Sequence, residues 1–169
     1  MVSPRGQSHG KRDAMRQRLL MRAARLEDLP AVCALEQKCF TMYRLSKRQL
    51  RYLCGRETVI FHVASVGGKI VGEAIGLMRR HGKRLSGRIY SLAVDPEYRG
   101  RSIGLRLLGR IMRDFHALGV GRVHLEVDRD NEPAIQLYRR HGFCGMEELL
   151  DYYGPGGHGL RMLRQGKVR

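Results

Sequence analysis

The segment from Val94 to Gly104 has the residue types of an anion site, because an apolar run ends there and an amphipathic one begins. A helix that starts at such a point presents unpaired backbone N–H groups and a partial positive charge, which suit a bound anion. Gly100 and Gly104 permit close backbone approach, and Arg99 and Arg101 add positive charge. These residues predict a pyrophosphate site, although an ordinary strand-to-helix loop with solvated arginines also fits them.

Other phosphate-binding motifs do not fit this segment. A P-loop needs G-x-x-x-x-G-K-[ST], which the chain lacks. A dinucleotide fingerprint opens a βαβ unit and is followed about 20 residues later by an acidic residue. Here the turn follows two apolar runs joined by Gly67–Gly68, which is a hairpin signal.

Two blocks of the sequence together resemble the GNAT family of N-acetyltransferases. Arg99-Gly-Arg-Ser102-Ile-Gly104 is similar to the family signature R/Q-x-x-G-x-G/A, with Ser102 in place of the first signature glycine. Asn131-Glu-Pro-Ala134-Ile-Gln-Leu137-Tyr138, followed by Gly142-Phe143, carries the family pattern N-x-x-A-x-x-L-Y-x-x-x-G-F. The resemblance extends over about residues 21–163 and implies an acyltransferase with acetyl-CoA as its co-substrate.

The resemblance also implies which residues hold acetyl-CoA. In the family, the strand before the signature binds the pantetheine arm through its backbone, a role that falls on Leu92, Ala93 and Val94. Asn131 is expected to contact the same arm, and Tyr138 stands where the family protonates the departing thiolate. The expected pyrophosphate ligands are the residues of the signature turn: Arg99, Gly100, Arg101, Ser102, Ile103, Gly104 and Leu105.

Within the family the chain is most similar to the RimI-type enzymes, which acetylate protein N-termini, notably of a ribosomal protein. The shared residues are Leu125-Glu126-Val127, the Asn131/Tyr138 pair and the late Asp151-Tyr-Tyr153 segment, whereas a tryptophan common near the start of that branch is missing. In that branch the glutamate matching Glu126 is the general base. Alternatively, Glu126 is an ordinary charged residue of its strand. Asp128, Glu148 or bulk water are the alternative proton acceptors.

Acetyl transfer from a thioester requires a neutral amine, a donor to the oxyanion and a proton for the thiolate. A backbone N–H of Leu92–Val94 is the expected oxyanion donor. Tyr138 is a reasonable acid, because a phenol with a pKa of about 10 is protonated at neutral pH. Its position is equally that of an aromatic residue packed on the buried side of a helix. No cysteine is needed as a nucleophile, so we expect direct attack by the amine in a ternary complex.

The elements that position these residues form a mixed α/β domain on one central sheet. For this sheet the resemblance implies an antiparallel N-terminal meander, flanking helices and a splayed strand pair that holds CoA. Residues 20–24 fit one additional strand at the start. The hydrophobic periodicity predicts helices at 27–40, 46–53, 107–118 and 131–141, and strands at 58–65, 69–77, 88–94, 123–127, 143–153 and 159–163.

The length of 169 residues suits one domain, which we place at 19–169 after a basic, disordered tail at 1–18. No apolar run reaches the roughly 20 residues that a membrane-spanning helix needs. The four cysteines and seven histidines lack the spacing of metal ligands. We therefore expect no metal, no membrane association and a cytoplasmic location.

The net charge of +16 is uneven, since residues 76–113 carry ten lysines and arginines against two acids. We expect this basic block to hold the CoA phosphates. The acids expected to attract the amine at the other end of the site are Glu126, Asp128, Asp130, Glu132, Glu147, Glu148 and Asp151.

Two alternatives to acetylation of a protein N-terminal α-amine stay open. Acetylation of a small polyamine is disfavoured by the positive net charge. An RNA- or ribosome-binding protein would use the tail and the arginine-bearing helix, although RNA surfaces usually interleave aromatic and basic residues.

Overall fold

The described part of the chain forms a seven-stranded sheet with helices on both faces. The computed structural model describes residues 18–41 and 43–166, so residues 1–17 of the predicted tail lie outside the described ranges. The helices are α1 (Leu29–Cys39), α2 (Lys47–Leu53), α3 (Ile103–Ala117) and α4 (Glu132–Arg140). The strands are β1 (Leu19–Ala23), β2 (Val59–Val66), β3 (Lys69–His81), β4 (Arg84–Val94), β5 (Arg122–Asp128), β6 (Cys144–Leu149) and β7 (Gly159–Gln165).

The strand order is β1-β2-β3-β4-β5-β7-β6. Strands β1 to β4 form an antiparallel meander, which includes the additional N-terminal strand. Strand β5 runs parallel to β4, because α3 crosses over the sheet between them. Strand β7 then pairs antiparallel with both β5 and β6. The predicted mixed sheet with an antiparallel meander is confirmed.

The largest differences from the predicted strand boundaries lie in the β3–β4 hairpin and at the end of β6. The β3–β4 hairpin continues to His81 and Arg84 because backbone pairing persists beyond the core, where the side chains are exposed and the apolar pattern has stopped. At the other end, β6 stops at Leu149 rather than 153. Asp151 has a φ of 51° and accepts a hydrogen bond from Gly156 N–H at 2.7 Å, so the chain turns there.

Helix α3 is amphipathic, as predicted. Leu107, Leu108, Ile111 and Phe115 are completely buried against the sheet, and the arginines of α3 face outward. Burying each such side chain contributes about 1.5–3 kcal/mol. Helix α4 shares this apolar layer, while α1 and α2 cover the opposite face.

Glycines in the sheet let α3 lie close against it. A Cβ atom on Gly76 would stand 2.7 Å from Phe115 Cζ, and one on Gly87 would stand 2.9 Å from Phe115 Cε2. Neither distance is tolerable for real atoms, so Phe115 packs where β3 and β4 lack side chains. This contact fixes how near the helix comes to both strands.

The close approach predicts that Gly76→Ala destabilises the fold by about 1–3 kcal/mol, because the added methyl group overpacks the Phe115 ring. Urea unfolding followed by circular dichroism measures the loss. Gly145→Ala is the matched control, since a Cβ there first meets Leu160 at an ordinary 3.6 Å. Equal unfolding free energies for the two variants would contradict this packing.

Candidate active site

A cleft opens where β4 and β5 separate. The two strands pair only over Ser86–Arg88 and Arg122–His124, after which β5 continues beside β7 alone. Strand β4 also carries a bulge, because Ile75 pairs with Ser91 and Gly76 pairs with Ile89, which leaves Tyr90 without a partner. A bulge bends a strand and increases its twist. The structure therefore contains the predicted splayed pair, with Leu92, Ala93 and Val94 on the free edge of β4.

The signature turn leads from this edge into α3. A short 3₁₀ turn at Pro96–Tyr98 is followed by Gly100 with a φ of 75° and by Ser102 with a φ of 57°. Ser102 is the N-cap of α3 but forms no side-chain hydrogen bond to it. A Cβ atom on Gly100 would have no heavy atom within 4 Å, so the space above the turn is open. The uncapped N–H groups of a 15-residue helix thus fit the phosphates of CoA.

Asp95 holds the start of the signature turn in place. Its carboxylate accepts a hydrogen bond from Glu97 N–H at 3.2 Å and lies 3.2 Å from Lys38 Nζ and 3.4 Å from Lys69 Nζ. Burial opposes its ionisation, but the Glu97 N–H and the two ammonium groups outweigh burial and lower the pKa of Asp95. The turn is therefore tied to α1 and to β3.

The arginines of the turn are held by neighbouring groups. Arg99 Nε donates to the Val94 carbonyl at 3.3 Å, and the Cys39 thiol donates to the same oxygen at 3.3 Å. The Arg101 guanidinium lies 5.0 Å from the centre of the Tyr98 ring. The Val94 carbonyl at the end of β4 therefore already accepts two hydrogen bonds.

Tyr138 lies in α4, the helix that follows β5, and Asn131 precedes the first residue of that helix. Asn131 caps this helix by accepting the Ala134 N–H at 3.3 Å through its side-chain oxygen. Tyr138 is 8% exposed and packs edge-on against Phe143. Burial, followed by nearby Tyr153 and Glu73, raises the pKa of Tyr138, so its hydroxyl stays protonated across the physiological range.

Glu126 is held between two arginines. Its side chain is 5% exposed and accepts hydrogen bonds from Arg88 Nε at 2.9 Å and Arg161 Nε at 3.2 Å. Arg88 also donates to the Tyr152 hydroxyl at 3.1 Å. Sequence reasoning placed Glu126 on its strand but missed both arginines, which come from other strands. The signal available for Arg88 is a lone charge in an apolar strand.

Some of the acids expected at the acceptor end contact basic residues from other elements. Glu147 pairs with Arg161 at 2.9 Å, Glu148 pairs with Arg129, and Asp151 lies 3.8 Å from His158 Nδ1. Arg161 and Arg129 thus compete with an incoming amine for Glu147 and Glu148, and attraction of the amine by these acids stays a prediction.

Two loops meet over the acceptor side of the cleft. The rings of Tyr43, in the loop between α1 and α2, and Tyr153, in the loop between β6 and β7, have centroids 5.7 Å apart. Tyr152 packs edge-on against Tyr153 at 4.9 Å. Tyr43, Tyr152 and Tyr153 form an aromatic wall where these two loops meet.

Two buried carboxyl groups behind the cleft were missed by sequence reasoning. Glu36 on α1 and Glu73 on β3 are 1% and 0% exposed, and both contact the Ser91 hydroxyl. The available signal was a glutamate inside the apolar run that became β3, because such a residue is rarely buried without a partner.

Comparisons with known proteins agree with this geometry. A profile of the Acetyltransferase (GNAT) family matches residues 27–143, which include the β4 edge, the signature turn and α4. The fold and site define an acyltransferase that uses acetyl-CoA. The chain belongs to the GNAT family of acetyl-CoA-dependent N-acetyltransferases.

Individual relatives are similar over different lengths. An acetyltransferase of Pectobacterium atrosepticum is 30% identical over 122 residues, which are 71% of this chain and 84% of the relative. An uncharacterized protein of Mycobacterium leprae is 44% identical over 77 residues, 46% of this chain and only 21% of that longer protein. The ribosomal-protein-S18-alanine N-acetyltransferase of Escherichia coli has a similar fold, with a TM-score of 0.76 at 24% identity over 88% of this chain and 94% of that structure.

Neither a metal centre nor a membrane span is found in the described ranges. Residues 18–41 and 43–166 contain no group of three histidine, cysteine or carboxylate side chains placed to bind a metal. None of the described helices is long and apolar enough to cross a membrane.

The left-handed backbone at Ser102 predicts that Ser102→Gly stabilises the turn. A non-glycine residue in this conformation costs about 1–2 kcal/mol. Glycine avoids that cost, but the greater conformational entropy that it gives the unfolded chain offsets part of the gain. We expect a higher Tm and tighter acetyl-CoA binding by calorimetry.

Ser102→Ala is the matched control, because it also removes the hydroxyl but retains the Cβ atom and its strain. An alanine variant that equals the glycine variant in Tm and acetyl-CoA affinity would show that backbone strain at this position is not the cause.

Proposed function

We propose that the enzyme moves the acetyl group of acetyl-CoA to a protein or peptide N-terminal α-amine by direct attack in a ternary complex. The observation that carries the proposal is the contact of the Tyr43 and Tyr153 rings, whose centroids are 5.7 Å apart. In this proposal the two loops that carry these rings cover the acceptor side of the cleft. An opening covered by two loops admits a chain end more readily than an internal lysine, which brings polypeptide on both sides. The catalytic unit in this proposal is residues 19–169.

The chemistry of the amine favours the same acceptor. At pH 7 about one tenth of an α-amine is neutral, against roughly one in 2,500 lysine side chains. An α-amine therefore needs much less help with deprotonation. The fold similarity to the ribosomal-protein-S18-alanine N-acetyltransferase is consistent with this class of acceptor.

Acetyl-CoA supplies the activated acyl group, and the residues of the cleft orient it. In this proposal backbone groups of Leu92, Ala93 and Val94 bind the pantetheine arm, with the Asn131 amide beside them. The phosphates lie over the N-terminus of α3, held by the backbone of Arg99–Leu105. A β4 N–H also donates to the carbonyl oxygen that becomes negative during attack.

Tyr138 and Glu126 are the proposed acid and base. The raised pKa of Tyr138 keeps its proton available for the departing thiolate. Glu126 carries a carboxylate at the base of the cleft, where it accepts a proton from the amine through water. Because Arg88 and Arg161 already bind both of its oxygens, its position is fixed.

The acceptor proposal is tested by thiol release with a panel of amines. The panel holds peptides with free N-termini, the same peptides N-terminally blocked but with an internal lysine, and spermidine. Free N-termini are expected to give a kcat/KM at least about tenfold above the others, in line with the difference in amine pKa. A preference for spermidine or for blocked peptides would assign a different acceptor.

Tyr138→Phe completes this test within the same panel. Losing a general acid is expected to lower kcat about 10²-fold with little change in the KM for acetyl-CoA. Tyr52→Phe is the control, since Tyr52 lies on α2 and is 63% exposed. Equal kcat values for the two variants would remove Tyr138 from its role.

A second candidate function is RNA or ribosome contact, which one groove favours. The groove has a volume of about 650 Å³, lies between β1 and α3, and is lined by Arg18, Arg106, Arg110, Arg113 and His141 among others. Among the described residues, Arg106 and Arg113 have no carboxylate partner, and Arg110 lies 3.7 Å from Asp114. Arginines at positions i, i+4 and i+7 of a helix span about 10 Å along its axis, which suits successive phosphates.

This second candidate predicts salt-dependent binding of single-stranded RNA by the full chain. The double variant Arg106→Ala/Arg113→Ala is expected to reduce the slope of log Kd against log salt by about 1.4, because two phosphate contacts are lost. Fluorescence anisotropy measures it. The control Arg48→Ala/Arg51→Ala lies on α2, across the sheet, and a similar change there would argue against a specific groove.

A further inference from the structure

Glu36, Glu73 and Ser91 form a buried chain of polar groups directly behind the cleft. Ser91 Oγ lies 2.9 Å from Glu36 Oε1 and 2.7 Å from Glu73 Oε1. The second oxygen of Glu36 accepts the Leu45 N–H at 2.8 Å, while Oε2 of Glu73 is buried with no partner among the described residues. We call Glu36 and Glu73 the carboxyl pair.

Counting hydrogens shows that the carboxyl pair holds a proton. A serine hydroxyl has one hydrogen, so it donates to only one of its two carboxyl neighbours. The other short contact requires a hydrogen on the carboxyl group itself. Two ionised carboxylates in one buried site would also repel each other without water to screen them. Consistent with this, burial and the neighbouring Glu36 raise the pKa of Glu73 well above its ordinary value.

The position of Ser91 connects the carboxyl pair with the cleft. Ser91 follows the bulge at Tyr90 and precedes Leu92 on the free edge of β4, and it is only partly buried. Ser91 is thus the accessible end of a chain whose other members are closed to solvent.

The groups that face the pair come from every element around it. Helix α1 contributes Glu36 and Cys39, β4 contributes Ser91, and the loop after α1 contributes the Leu45 N–H. From α4, Tyr138 lies close enough to Glu73 for a negative charge there to raise the pKa of Tyr138. No cation directly contacts the pair among the described residues, in contrast to Glu126, whose oxygens face two guanidinium groups.

We propose that Ser91 and the carboxyl pair form a second proton path, which takes up the proton that the acceptor amine loses before attack. Ser91 oxygen accepts the ammonium proton, directly or through water, while the Ser91 hydroxyl proton passes to the pair. The pair then holds two protons instead of one, and Ser91 is unchanged. The inference rests on the proposed acyl transfer and adds Ser91 as the link and Glu36 and Glu73 as positioning residues.

The remaining protons balance with the bonds. The amine nitrogen forms the new bond to the acetyl carbon as the carbon–sulfur bond breaks. A second proton leaves the nitrogen and replaces the one that Tyr138 gives to the thiolate. The carboxyl pair returns its extra proton to solvent, so each turnover releases one proton.

The test compares Glu73→Gln with the exposed control Glu57→Gln, on the panel amine that wild type acetylates fastest. Glu73→Gln is expected to lower kcat about 10²-fold, as for a lost proton acceptor. The KM for acetyl-CoA should stay unchanged, and the acidic limb of the kcat–pH profile should shift. The Tm should be unchanged or higher, because glutamine is neutral without taking up the proton that buried Glu73 needs. A wild-type kcat with an unshifted profile overturns the proposal.

A measurement without turnover checks the held proton. Because the pKa of Glu73 is raised in the folded state, the stability that it contributes is present below the ordinary glutamate pKa of 4.5 and is lost as pH rises. Glu73→Gln should therefore gain stability relative to wild type as pH increases above that value. A difference that does not change with pH overturns the protonated pair, and with it the proton path.

Ser91 variants decide the case if Glu73→Gln does not fold. Ser91→Thr keeps the hydroxyl and should retain kcat, whereas Ser91→Ala should lose it about as much as Glu73→Gln. Equal activity of the two Ser91 variants, whether both are active or both are inactive, overturns the proton path. If wild type prefers an amine other than an N-terminal one, the acceptor proposal fails, while the comparison of variants on that amine still tests the path.

Discussion

The separation of β4 from β5 after three paired residues is the constraint on which the site depends. It leaves a backbone edge on β4 without a strand partner, and an unpaired edge must find hydrogen bonds elsewhere. The bulge at Tyr90 lies at the start of this divergence. Arg88 and Glu126 form an ion pair at 2.8 Å where the two strands part. This ion pair holds the strands together at the base of the cleft, while beyond it they stay apart.

Helix α3, whose N-terminus is the proposed phosphate site, is positioned by packing rather than by its own cap. Phe115 lies on the glycines of β3 and β4 near the C-terminal end of α3, and Asp95 fixes the chain before its N-terminal end. The N-terminus itself keeps its N–H groups uncapped. A helix that packs against the sheet but is uncapped at its N-terminus is stable and still able to bind an anion.

Local features of this fold could be predicted from the sequence, and long-range ones could not. The amphipathic period fixed α3, and the motif residues located the signature turn and Tyr138, because each depends on neighbours within about four positions. The partners of Glu126 and the contact of Glu36 with Glu73 depend on strands and helices far apart in the chain. The length of the β3–β4 hairpin escaped prediction since its outer part pairs only through backbone groups, which leave no side-chain pattern.

Helix α1 touches both halves of the site. Lys38 binds Asp95 under the signature turn, and Glu36, half a turn earlier, holds Leu45 N–H in the acceptor-side loop. Cys39 adds a contact to the last carbonyl of β4. Helix α1 therefore ties the signature turn and the loop between α1 and α2 to one helix, through side chains that are only two residues apart.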